Sequence, residues 1–195
     1  MGLDGFIHPI FCNCSFGIRF QIGVGSIYGK DGAPRNEYIE NALHRAMTIY
    51  NRGMKCPSIL VWEVFTQSDN ETHRLKSLFQ NRVAPIYPQE ESVEIAKIDG
   101  EQFKQSQFYW SLNESHIPMD TLFKEIILGN LRGLNDFVSS VYLFDVENHV
   151  MIHLYDDRGL DIVSHEKNTL MPLYQELNGW ILDYDRKRIE EMLLG

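Results

Sequence analysis

Tyr155-Asp156-Asp157-Arg158-Gly159-Leu160-Asp161 packs four charges and a glycine into seven residues. It lies between two runs that read as β-strands, His149–Tyr155 and Leu160–Ser164. Aspartate and glycine favour turns, aspartate by bonding nearby backbone N–H groups and glycine by reaching positive φ, so Asp156–Gly159 reads as a hairpin closed with the help of Gly159. One hairpin earlier, Ser140–Val146 returns through Glu147-Asn148, with Asn148 as the expected turn residue. Three close-set antiparallel strands therefore occupy residues 140–164.

After these strands, Asn168 or Thr169 is placed to cap a helix over Leu170–Leu177 that carries Pro172 in its first turn. Asn178-Gly179 interrupts it, and Trp180–Leu194 reads as a second helix with Trp180 and Tyr184 on one face, toward the sheet. Asp183 with Lys187, and Asp185 with Arg188, are spaced for surface pairs.

Upstream, Phe16–Ile22 alternates apolar and polar residues as a half-buried strand does. The glycine-rich loop Gly23–Gly32 after it lacks the lysine-hydroxyl pair of a phosphate loop. Ile39, Ala42, Leu43, Ala46, Met47 and Tyr50 form one apolar stripe, which predicts a helix over Glu37–Arg52, with Asn36 as cap and His44 and Arg45 solvated. Ser58–Phe65 is apolar except for Glu63 and reads as a central strand, with Glu63 expected where the strand reaches solvent. Shorter signals predict a helix over Glu71–Gln80 behind a Ser68–Asn70 cap, strands at Val93–Ile98 and Phe108–Leu112, and a helix from Pro118 to Gly129. The sum is one α+β domain over residues 1–195. It has a mainly antiparallel or mixed sheet of about five to seven strands, helices packed on it, a helical C-terminus, and an N-terminal arm at 1–15.

With 18 basic and 27 acidic residues the net charge is −9, a field that repels nucleic acid and anionic membranes and attracts a basic protein. No apolar run reaches the roughly 18 residues of a membrane span, and the N-terminus carries no secretory pattern. Cys12, Cys14 and Cys56 read as thiols of a reducing compartment, and the expected location is the cytoplasm. Cys12-x-Cys14 with Cys56 and His8 falls short of a structural zinc set. No cofactor or metal is expected.

His153-Leu154-Tyr155-Asp156-Asp157-Arg158-Gly159-Leu160-Asp161 resembles the hallmark of the bacterial domain of unknown function 3885 family. So does Leu173-Tyr174 followed by Trp180-Ile181-Leu182-Asp183-Tyr184-Asp185-Arg186 and Ile189. Gly17–Gly23 and the helix around Ala46 are similar to the family's opening strand and helix, with Gln21 where the family often carries Glu. The resemblance implies a compact bacterial α+β domain and no assigned activity, so no catalytic residue is carried over.

The candidate functional cluster is His153, Tyr155, Asp156, Asp157, Arg158, Asp161, Trp180, Asp183, Asp185 and Arg186. His153, Tyr155 and Met151 share one strand face, and a histidine near carboxylates is a candidate acid–base pair. Ser164 and His165, adjacent in a strand, point to opposite faces and cannot act together. Two readings follow, and whether the protein is an enzyme stays open between them. One is a non-catalytic protein-interaction module, analogous to the small acidic immunity proteins that neutralise toxins. The other is a metal-assisted hydrolase or nuclease-like enzyme, which requires the aspartates to converge on one point.

Overall fold

The computed structural model describes residues 10–98, 100–131 and 134–195. His8, the rest of residues 1–9 and the expectations for them lie outside the described residues. From Ile10 the elements run α1 (Ile10–Asn13), β1 (Phe16–Gln21), α2 (Asn36–Gly53), β2 (Ile59–Thr66), α3 (Asp69–Arg82), β3 (Glu90–Ile98) and β4 (Glu101–Ser111). They continue with α4 (Met119–Gly129), β5 (Ser140–Asp145), β6 (Val150–Leu154), β7 (Gly159–Ser164), α5 (Lys167–Glu176) and α6 (Arg186–Leu194). Seven strands form one sheet in the order β1-β7-β6-β5-β2-β4-β3, every neighbouring pair antiparallel.

Alternation decides what each face holds. Ile18, Phe20, Leu60, Trp62, Phe108, Leu143, Ile152, Leu160 and Ile162 join the main core with the apolar stripes of the helices. Trp62 stacks on Phe137 at 5.2 Å and meets Phe79 and Phe108, while Phe79 stacks on Trp110 at 4.7 Å. Such offset ring contacts add about 0.5–1.5 kcal/mol each beyond burial. The opposite face has a smaller apolar cluster, Val61, Tyr142, Phe144, Met151 and Val163, over which Ile10 of α1 is laid. The rest of that face is largely polar, with Phe65 exposed on it.

The α+β class, the central place of β2 and the three strands β5–β7 match the sequence reading. Several details differ. Arg35, not Asn36, occupies the cap position of α2, and Arg45 is not simply solvated, because its guanidinium lies over the Trp180 ring at 4.8 Å and donates to the Gln21 carbonyl at 2.9 Å. Ser68 does cap α3, accepting from the Glu71 N–H. β4 starts seven residues before the expected Phe108. In the β5–β6 turn positive φ falls on His149, at 55°, rather than on Asn148, whose backbone and side-chain N–H groups instead bind Asp145. The α5 helix begins at Lys167 without a side-chain cap, so Pro172 lies past its first turn.

The largest difference is at the C-terminus. Instead of one helix over Trp180–Leu194, short 3₁₀ turns at Asn178–Trp180 and Asp183–Asp185 flank an extended Ile181, and α6 begins only at Arg186. Ile181 bridges Phe20, and the Leu182 N–H donates to the Arg19 carbonyl at 2.9 Å. The reason is the edge of β1, whose outward backbone groups need partners. Helical spacing of Ile181, Asp185 and Ile189 carries no sign of that demand. Tyr184 is left 92% exposed instead of packing on the sheet.

Candidate functional site

The hairpin that defines the sequence is a knot of satisfied carboxylates. Asp156 accepts from the backbone N–H of Arg158 at 2.8 Å and of Gly159 at 3.1 Å, and pairs with the Arg158 guanidinium. Asp157 accepts from the Tyr38 hydroxyl at 2.6 Å, which ties the turn to α2. Burial pushes the Asp157 carboxyl above the usual range, partly offset by that hydrogen bond. Gly159 is not among the positive-φ residues. Its role is close approach: a Cβ there would collide with the Tyr155 ring.

Asp161 takes a bidentate fork from Arg19, at 2.8 and 3.0 Å, and the same guanidinium reaches Asp185 at 3.1 Å. This triad joins β7, β1 and the turn before α6. Burial pushes the Asp161 carboxyl up, Arg19 pulls it down, and Asp161 in turn raises the Arg19 guanidinium further. Arg19 thereby anchors the C-terminal segment to the sheet. Asp183 pairs with Arg186 at 3.1 Å, and Arg186 also donates to the Asn178 and Ile181 carbonyls. Asp185 is thus engaged away from Arg188, which lies against Phe11 at 5.0 Å and Cys12. Trp180 packs on α2, with the Arg45 guanidinium over its ring and His44 in an edge-to-face contact.

The ten candidate residues are therefore not one constellation. Of the ten, His153 and Tyr155 line one cavity together. It measures about 310 Å³ and opens on the polar face of the sheet, with Glu63, Phe65, Ser140 and Tyr142 among its other lining residues. Glu63 does not reach solvent. It is 2% exposed and held from one side by the Gln105 and Gln107 amides, each donating at 2.7 Å, and from the other by the Tyr142 hydroxyl at 3.3 Å. Gln107 is oriented in turn by the Tyr109 hydroxyl, which donates to its carbonyl oxygen at 2.6 Å. Strand register explains the assembly, since Glu63 lies opposite Gln107 on one side and Ser140 on the other.

Tyr142 lies opposite His153, His153 opposite Asp161, and Asp161 opposite Arg19, in one lateral row over four strands. The Tyr142 and His153 rings stack at 4.0 Å, and Tyr155 follows at 5.2 Å. Burial and the Glu63 charge both push the Tyr142 phenol far up, so it stays protonated and keeps donating to the carboxylate. Burial does the same for Tyr155, reinforced by Asp161. Sequence reasoning singled out Glu63 but missed Tyr142, Gln105 and Gln107. The signal was there in the alternation of Gln105, Gln107 and Tyr109, three polar or half-polar residues on one face of β4.

Among the described residues no group of three or more His, Cys, Asp or Glu side chains is placed to hold a metal ion. No helix among them is long and apolar enough to cross a membrane.

The family model described as Domain of unknown function (DUF3885) matches residues 4–185, and the chain belongs to that family. A segment of 44 residues, 23% of this chain, is 27% identical to the Uncharacterized protein YnaE of Bacillus subtilis (strain 168) and spans 21% of that protein. No solved structure matches.

Proposed function

We propose that this DUF3885 chain is a non-catalytic protein-interaction module, and that the cavity beside Glu63 receives a cationic side chain of a basic partner. One observation carries the proposal: a carboxylate that is 2% exposed lies in the wall of an aromatic-lined cavity on the polar sheet face. A charge attracts its opposite more strongly away from bulk water. The rings of Tyr142, His153 and Tyr155 add faces on which an ammonium or guanidinium can rest. Arginine suits both, being planar, weakly hydrated and always charged. Exposed Phe65 and Val138 at the cavity mouth offer contact to the aliphatic stem. The amides of Gln105 and Gln107 already fix the carboxylate, which lowers the ordering cost of binding. A net charge of −9 steers a basic partner toward the protein.

Acidic immunity proteins that neutralise toxins are one class with this character, by analogy of composition and fold class alone. The proposal places the protein in the cytoplasm, where its three cysteines stay reduced. The alternative, a metal-assisted hydrolase on the acids around Asp156–Asp161, draws no support from geometry. Those carboxylates are engaged with Arg158, Tyr38 and Arg19 and do not converge.

Titration calorimetry with an arginine-rich peptide and its citrulline counterpart tests the proposal. The citrulline peptide is expected to bind at least about tenfold more weakly, and Glu63→Gln to weaken the arginine peptide comparably. Equal binding of the two peptides, or undiminished binding to a folded Glu63→Gln variant, contradicts it.

A further inference from the structure

The two edges of the sheet are treated differently. The β1 edge is covered by Ile181 and Leu182. The β3 edge is not: among the described residues β3 pairs only with β4, along nine residues, and its outward backbone groups form a template for another strand. Apolar side chains stand out on it, with Val93 52% and Ile95 68% exposed.

The order of residues along β3 selects the strand that fits. Glu91, Val93, Ile95 and Lys97 project from one face, because side chains alternate. If a second β3 is laid antiparallel about Glu94, Glu91 of each copy falls opposite Lys97 of the other, and Val93 opposite Ile95. Shifting the centre by one residue either way sets Glu91 across from an apolar residue or from none of these four. The charges on this edge, which ordinarily block pairing, become two complementary pairs flanking two apolar ones. Two elements oppose the arrangement: Glu94 faces its own copy on the other face, and Glu91 is already paired within its own chain with Lys76 of α3, a pair that Lys97 of the second copy must share.

We infer that the β3 edge is a homodimer interface in which two copies pair antiparallel about Glu94, joining two seven-stranded sheets into one. The occupant is a second copy because the complementarity is internal to the strand: Glu91 meets the Lys97, and Val93 the Ile95, that the same segment supplies. The inference is independent of the Glu63 cavity, which is lined by other strands.

Sedimentation equilibrium of the whole chain over a wide concentration range reads the association directly. Wild-type protein is expected to follow a monomer–dimer equilibrium, and Ile95→Lys to shift it to monomer. Glu91→Lys and Lys97→Glu alone each place like charges opposite at two positions, and each is expected to weaken the dimer by about tenfold or more. Combining them restores opposite charges and is expected to recover most of the loss. Glu94→Gln is expected to tighten the dimer. These positions are solvent-exposed, and melting curves establish that the variants fold. A wild type that stays monomeric at all concentrations, a dimer that survives Ile95→Lys, or a double charge reversal no better than the single ones overturns the inference.

Discussion

Two groups of carboxylates sit on the same sheet and illustrate opposite uses of one chemistry. Around the β6–β7 hairpin, Asp156, Asp157 and Asp161 are each spent on a structural partner: backbone N–H groups and Arg158, the Tyr38 hydroxyl, and Arg19. On β2, Glu63 is as deeply buried, yet it is held by side-chain amides and a phenol at the wall of a cavity. The first group binds elements to one another. The second is presented to a volume that a ligand can enter. A dense acidic motif marked the first group in the sequence, and a lone acid in an apolar strand marked the second. Density of charge thus identified the fold's fastening, and the exception to a pattern identified the candidate site.

The largest expected effect separates the two groups by stability. Asp161→Ala removes the fork that holds Arg19 and leaves that guanidinium with Asp185 as its carboxylate partner among the described residues. Breaking a mostly buried pair from one side costs about 3 kcal/mol or more. Glu63→Gln keeps an acceptor for both amides and is expected to cost within about 1 kcal/mol. Urea unfolding of both variants checks the contrast, and equal losses would erase the distinction drawn here.

A smaller effect concerns pH. The folded state raises the Asp157 carboxyl, chiefly through burial. A carboxyl raised on folding holds its proton more tightly in the folded state. Its stabilising contribution is therefore complete below the unfolded range, about pH 4, and is lost as pH rises through the folded value. Asp161 is raised in the same sense. Asp157→Asn keeps the acceptor for Tyr38 and removes the titration. The stability of wild type relative to Asp157→Asn is expected to fall as pH is raised from about 4 to 7, and an advantage that stays level or grows would show that burial of Asp157 carries no such cost.

Much of this fold was legible in the sequence, for physical reasons that also explain the gaps. The stripe Ile39, Ala42, Ala46 and the apolar run of β2 each report a single dominant environment, and both elements are where their patterns place them. The β3–β4 hairpin was understated because much of it is exposed on both faces, so Glu101–Gln107 shows no burial period. The break at Ile181 was invisible because its cause, an edge strand lacking partners, is far away in sequence at Arg19 and Phe20. The cavity was half legible. His153, Tyr155 and Glu63 stood out singly, but only strand register brings Tyr142, Gln105 and Gln107 to them.

The central claim, that the Glu63 cavity rather than the aspartate hairpin is where this protein meets a ligand, is tested most directly by mapping the arginine-rich peptide on the protein by amide proton–nitrogen NMR. The account predicts that signals of Phe65, Tyr142, His153 and Tyr155 move on titration, that those of Asp156–Arg158 stay still, and that in Glu63→Gln the same movement needs at least about tenfold more peptide while the rest of the spectrum is retained. Movement centred on the hairpin, or a response of the cavity residues at undiminished affinity in Glu63→Gln, would contradict it.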